Sequence, residues 1–354
     1  MNRMLLKALQ VSGRWSGRTA LLLCVAVLAG AALTPQPVRA DAENIIAMGD
    51  LHGDYDAFLA LMSQAGLIDA KGHWSGKQTI YVQLGDVVDR GPKSRDIILH
   101  LQRLQKEASK AGGKVITLIG NHEAMNMTND LRYVPPVEFQ NYVTHNSAAL
   151  REQLFQGNKS KLEAEYRQEN PQITDAEIKA KFQEKYPLGY VEQRLAWAPN
   201  GDIGRWILSN PVAVIVGDSL FVHGGISVKY DVDSLAQMND LAHAALSAAA
   251  TDDHSILQDE VGPLWYRGFA EDNETTEKDI VDVLKAYSVK RMVIAHTPNL
   301  AGIKVLDQGH VVLIDTGITA SYGGTRSFLS IEGSKIFAHD NGKITELTSA
   351  EAPP

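Results

Sequence analysis

Cysteine is almost missing from this 354-residue chain, where Cys24 stands alone. No disulfide can form within the chain, and no thiolate cluster can hold a metal. Basic charge is also short. Thirty-four Lys and Arg against 42 Asp and Glu leave a formal charge of −8. That excludes a protein that works by neutralising nucleic-acid phosphates broadly, and no basic, aromatic-rich patch argues otherwise. There is no internal repeat and no low-complexity linker. What is present is an ordinary globular composition, 44% hydrophobic and 21% charged. It rules out a disordered chain and a small disulfide scaffold. The length allows one large domain or two modest ones, with ample core.

The charge is unevenly spread. Residues 1–40 contain Arg3, Lys7, Arg14, Arg18 and Arg39 and no acid. An apolar run at 20–33 is followed by Pro35, Pro37 and Ala40. This pattern predicts a cleaved secretory signal ending at Ala40, and so a periplasmic or secreted protein. The alternative is an uncleaved anchor, for which the run is shorter than the ~20 residues that span a bilayer. Cys24 follows Leu23 in mid-run, which does not suit lipidation. Cleavage would leave residues 41–354, lower the charge from −8 to −13 and remove the only cysteine. Cysteine-nucleophile chemistry is thereby excluded.

Three buried strands are predicted at 44–48, 79–84 and 114–119. Amphipathic helices are expected between them at 54–66 and 94–111. This βαβαβ start is α/β, and each strand runs into Gly and a polar group. The carboxyl edge of such a sheet is where ligands bind. Residues 123–207 are polar and read as mostly helical, a helical insertion centred on 125–205. Strands resume at 212–216, 219–222, 291–295, 311–314, 327–332 and 335–339, with Gly333 and Ser334 as a two-residue hairpin turn.

The strand ends present Asp50, His52, Asp86, Asn121, His122, His223 and His296. Without thiolate, this donor set suits Mn, Fe or Zn. Six such groups suffice for two metals if one carboxylate bridges, the arrangement used to clamp a phosphoryl group for in-line attack. Each piece alone reads as a turn or a structural histidine. Their recurrence after successive strands is the signal.

Gly49-Asp50-Leu51-His52-Gly53, Gly85-Asp86-Val87-Val88-Asp89-Arg90-Gly91 and Gly120-Asn121-His122-Glu123 resemble three signature blocks of the phosphoprotein phosphatase family of calcineurin-like metallophosphoesterases. Asp50, Asp86 and His122 are evenly spaced, 36 residues apart, which is compatible with it. Val222-His223-Gly224-Gly225 and Ala295-His296-Thr297 resemble the fourth and fifth blocks, with Ala295 where the family usually has Gly. The resemblance covers most of 43–340 and implies a four-layer αββα sandwich with a helical insertion. It implies one metal on Asp50, His52 and bridging Asp86, and another on Asp86, Asn121, His223 and His296. His122 would protonate the leaving oxygen, with Asp89 orienting it, after direct attack by a metal-bound hydroxide. Arg90 would bind phosphate. Arg267, in Leu264-Trp265-Tyr266-Arg267-Gly268, would be the second phosphate arginine, and this block is similar to the bacterial Shewanella-like phosphatases. Tyr322 would be a substrate-facing loop tyrosine. The implied substrate is a phosphoprotein, with phosphotyrosine favoured, or a small phosphate ester. The alternatives are a symmetrical dinucleoside tetraphosphate hydrolase and a metal-retaining binding module without turnover. No nucleic-acid partner and no stable membrane anchor after cleavage are expected.

Overall fold

The computed structural model describes residues 44–230, 234–249, 255–271 and 277–352. The expected signal at 1–40, with Cys24, lies outside them. Among the described residues no helix is long and apolar enough to cross a membrane.

The first strands form where apolar residues run without interruption. β1 (Ile45–Met48), β2 (Ile80–Gln83) and β3 (Lys114–Thr117) pair in parallel, joined by α1 (Tyr55–Gln64) and α2 (Ser94–Ala111). Asp54 starts α1 by accepting from the Ala57 N–H at 2.9 Å. Gly112, left-handed at φ 82°, ends α2. α3 (Asn121–Met127) leaves the end of β3. Residues 125–205 then hold a 3-10 turn at Pro136–Tyr142, α4 (Ser147–Glu169), α5 (Asp175–Lys185), α6 (Tyr190–Trp197) and the start of α7 (Asp202–Ile207).

The second half contributes β4 (Ala213–Val216), β5 (Ser219–Val222), α8 (Leu235–Ala248), α9 (Glu277–Ala286), β6 (Arg291–Ile294), β7 (Lys304–Leu306), β8 (Val311–Leu313), β9 (Ser327–Glu332), β10 (Lys335–Asp340) and β11 (Lys343–Leu347). One sheet has the order β11-β10-β9-β1-β2-β3 and the other β4-β5-β6-β8-β7. The register Glu332↔Lys335 leaves Gly333 and Ser334 as the hairpin turn, as expected. α8, α9, β7 and β11 are additions to the sequence-based reading. β11 is an edge strand with mostly exposed side chains, so it carries no apolar signal.

Two packing faces make four layers. Ile45, Ala47, Val82 and Ile116 of one sheet meet Val216, Phe221, Val293 and Val312 of the other in a buried core between the sheets. On the outer faces, Phe58, Leu61, Ile97 and Leu101 cover the first sheet, and Met238, Ala242, Ile280 and Leu284 cover the second. Strand residues therefore alternate between an intersheet and a helix-facing environment, which is why these strands read as continuous apolar runs. This is the calcineurin-like α/β fold that the sequence blocks imply.

Candidate metal centre and active site

The parallel strands of each sheet end on a common edge, and the two edges face each other. β1 delivers Asp50 and His52, β2 delivers Asp86, and α3 opens with Asn121 and His122. From the other sheet, β5 delivers His223 and β6 delivers His296. All seven are at most 6% exposed. The sheets meet closely here. His223 Nδ1 hydrogen-bonds Leu84 O at 2.7 Å. A Cβ on Gly85 would lie 2.6 Å from Gly120 N and 3.1 Å from His223 Nδ1, and Gly85 has φ 89°. Only glycine fits both demands.

The backbone is strained where the chemistry sits. His52, Asp86, Asp89, Arg90 and His296 all have positive φ, from 44° to 70°. Each such residue costs roughly 1 kcal/mol or more and persists because its surroundings over-determine it. Glu123 is one such surrounding group. Its carboxyl accepts from Gly120 N at 2.8 Å, Asp86 N at 2.9 Å and Val87 N at 3.0 Å. It thereby ties the loop after β2 to the start of α3. Burial pushes this carboxyl up to about 7, with the backbone donors opposing.

Two donor clusters share Asp86. Ligand atoms of His52, Asp86 and His122 lie within 4.8 Å of one another, as do those of Asp86, His223 and His296. Asp50 lies 3.8 Å from His52 Nε2 through one oxygen and 3.8 Å from His223 Nδ1 through the other. His122 thus falls in the tighter first grouping, where the resemblance implies Asp50. Asn121 Oδ1 lies 2.9 Å from His223 Nε2.

The donors fit cations. His52 Nδ1 bonds Val88 O at 2.9 Å, and His223 Nδ1 bonds Leu84 O at 2.7 Å. A carbonyl only accepts, so both rings carry the proton on Nδ1 and turn an Nε2 lone pair inward, the arrangement usual for ligating histidines. His223 Nε2 then faces the Asn121 oxygen, acceptor to acceptor. A cation or a proton between them resolves that conflict. His296 Nε2 is buried with no hydrogen-bond partner. Burial holds His52 down to about 3 and His296 down to about 2, so both are neutral imidazoles, the ligating form.

The carboxylates are pushed apart. Burial, then Asp315 and Asp86, raise Asp50. Burial would also raise Asp86, yet His223, His122 and His52 outweigh it and hold Asp86 well below the usual range. Asp315, raised to about 6 chiefly by burial, shares a hydrogen bond with Asp50. It backs the site from the end of β8 and was not expected from the sequence.

Beside the clusters, His122 Nδ1 meets Asp89 Oδ2 at 2.6 Å. Its Nε2 turns toward Asp86, 3.8 Å away. Burial alone would lower His122, but Asp86 and Asp89 together raise it. The Arg90 guanidinium lies 4.9 Å from the centres of two rings, Tyr133 and Tyr322. The Tyr322 ring is also 5.8 Å from His52. Tyr133, 39% exposed, packs 5.0 Å from the His122 ring. It lies after α3 in the expected insertion, and no sequence pattern distinguishes it from a surface tyrosine. Arg267 Nη1 donates to His296 O at 3.0 Å and to Thr297 Oγ1 at 2.9 Å. The structure therefore brings all eleven expected residues to one edge.

Comparison with known proteins identifies the family of this fold. The family profile described as calcineurin-like phosphoesterase matches residues 43–300. The chain is 32% identical over 288 residues to Shewanella-like protein phosphatase 2 of Arabidopsis thaliana, covering 78% of this chain and 72% of that one. It is 31% identical over 325 residues to an uncharacterized protein of Schizosaccharomyces pombe, covering 86% and 82%. The crystal structure of a cold-active protein-tyrosine phosphatase of a psychrophile Shewanella sp. superposes with a TM-score of 0.66 at 26% identity, covering 86% of this chain and 80% of that one. The chain belongs to the calcineurin-like phosphoesterases and, within their phosphoprotein phosphatase branch, to the Shewanella-like phosphatases, which makes it a metal-dependent phosphoesterase.

Proposed function

We infer that this phosphatase hydrolyses phosphomonoesters at a di-metal centre, with phosphotyrosine in protein as the favoured substrate and export to the periplasm or beyond as its setting. The observation that carries the reading is the pair of donor clusters sharing Asp86 beside the His122–Asp89 pair. Asp50, His52 and Asp86 would hold one cation, and Asp86, Asn121, His223 and His296 the other. When bound, divalent cations (Mn, Fe or Zn) supply Lewis-acid polarisation of phosphoryl oxygens and a water-derived nucleophile at neutral pH.

The chain's own groups do the rest. Arg90 and Arg267 bind the non-bridging phosphoryl oxygens, Arg90 resting against the rings of Tyr133 and Tyr322. Asp89 occupies Nδ1 of His122, so the proton for catalysis sits on Nε2. As the bond from phosphorus to the leaving oxygen breaks, that oxygen takes the Nε2 proton and departs as the alcohol or phenol. The aromatic rim of Tyr133 and Tyr322 supports an aryl phosphate, as does the similarity to a protein named as a tyrosine phosphatase.

A substrate panel tests this. Purified protein with Mn should release phosphate fastest from a phosphotyrosine peptide, more slowly from a phosphoserine peptide and a nucleotide, and not from diadenosine tetraphosphate. Preference for the dinucleotide would move the chain to the tetraphosphate hydrolases. No release with any of several metals would leave a binding module. N-terminal sequencing of protein recovered from a periplasmic fraction should begin at Asp41; an intact Met1 would overturn the cleavage.

A further inference from the structure

The pair of His122 and Asp89 does not end at Asp89. One Asp89 oxygen takes the His122 ring nitrogen at 2.6 Å, and the other accepts from Asn126 Nδ2 at 2.9 Å. Asn126 Oδ1 accepts from Gln193 Nε2 at 3.2 Å. Gln193 Oε1 accepts from Arg194 Nη1 at 3.2 Å. Asp89, Asn126 and Gln193 are each at most 2% exposed. Asn126 sits on α3, while Gln193 and Arg194 sit on α6, within the helical insertion.

This chain of bonds has a direction. A guanidinium only donates and a carboxylate only accepts. Each amide between them must accept at oxygen and donate at nitrogen, so the two ends dictate both amide orientations. Two backbone bonds brace the centre. Asn126 Nδ2 also reaches His122 O at 3.1 Å, and Arg194 Nη2 donates to Asn126 O at 2.8 Å. Every member is satisfied, which is the condition under which a buried polar network gives rigidity rather than strain. Remove the Gln193 amide and Asn126 loses the partner that holds its oxygen away from Asp89. A rotated Asn126 would set oxygen against oxygen and loosen the carboxylate that orients His122.

We propose that Gln193, backed by Arg194, is a positioning residue for the His122–Asp89 pair, through which helix α6 of the insertion sets how well the leaving oxygen is protonated. The proposal rests on the general-acid reading of His122 given above. A purely structural role, clamping α6 to α3, would slow all substrates alike. A positioning role is selective, because p-nitrophenolate leaves with little help from a proton and an alkoxide does not.

Kinetics of Gln193→Met with Mn, on p-nitrophenyl phosphate and on an alkyl phosphate, separate the two. The expected result is a kcat fall of about 10-fold on the alkyl ester and under about 3-fold on the aryl ester, with KM within about 2-fold. Asp89→Asn should give the same split, larger. Equal losses on both substrates for Gln193→Met, beside a split for Asp89→Asn, would overturn the positioning role alone. No split for Asp89→Asn would remove the general-acid reading, and the proposal with it. Should Gln193→Met fail to fold, Arg194→Met, at the partly exposed end, is judged by the same split. Independently of turnover, the His122 Nδ1 proton resonance should lie far downfield in the parent and move upfield in Gln193→Met; an unmoved resonance in a folded variant also overturns the proposal.

Discussion

The sheet edge and the α4–α5 hairpin are built on opposite plans. At the edge, buried polar side chains are held by partners far away in sequence, as His223 is held by Leu84 and Asn126 by Gln193. The hairpin has a small core of its own, formed by Phe155, Ile173, Ile178 and Phe182. Its surface carries exposed ion pairs such as Lys179–Glu152 and Lys159–Glu163, each worth little. The edge therefore fails as a unit, because each group is the partner of another. The hairpin can be altered as a module. The two plans meet through α6, which contacts α4 and also carries Gln193, hydrogen-bonded to Asn126 at 3.2 Å.

The largest break in this contrast is expected from Asp86→Asn. Asp86 belongs to both donor clusters and also accepts from the His122 N–H at 3.0 Å. Turnover should fall by more than about 10³-fold and metal content should drop from about two per chain to one or fewer. Elemental analysis with two metals still bound would contradict the shared-ligand reading. His122→Asn comes next, with a loss of about 10²–10⁴-fold in kcat and metal content near the parent value. Equal turnover would take His122 out of the proton-donor role.

Phe182→Ala probes the other side. Phe182 is 1% exposed, and such truncations cost about 3–5 kcal/mol. Hydrogen exchange should show α4 and α5 losing protection while β1–β3 keep theirs. Uniform loss across both regions would mean the hairpin is not a module.

The smallest effect is at the seam. Glu138, from the 3-10 turn, accepts from Ser94 N at 3.1 Å and Arg95 N at 3.0 Å and so caps α2. Burial raises its carboxyl from 4.5 to about 7 despite those donors. The folded state then keeps a proton that the unfolded chain has lost, so this contribution is full below about pH 4.5 and fades as pH rises to about 7. Urea midpoints should decline over that window by an amount corresponding to about 1–3 kcal/mol in the parent and by less in Glu138→Gln. Parallel pH profiles would exclude Glu138 as the source.

How much was legible follows the same division. The ligands were readable because Asp50, Asp86 and Asn121 each follow an apolar run and a glycine, and His223 and His296 follow apolar runs of their own. Helices α8 and α9 carry apolar residues at helical spacing, Met238, Ala242 and Leu246, then Ile280, Val283 and Leu284, but lie away from those ligand blocks. Glu123 stood in a signature block without a visible job, since its three partners are backbone N–H groups. Tyr133, Asp315 and Gln193 could not be found, because nothing local marks them. Their roles exist only where another segment arrives.

By itself, then, the sequence determined the residue types and the strand–turn rhythm. These follow from local sterics and from apolar periodicity, which act over a few residues. It also determined that no thiol takes part in the chemistry of residues 41–354. Only the tertiary structure decided which histidine nitrogen faces inward, which carboxyl is pushed up and which is held down, and that Arg90 lies against two tyrosines. Those properties depend on distance and dielectric between segments more than a hundred residues apart, as with Leu84 and His223. Only closure of the two sheets on each other creates them.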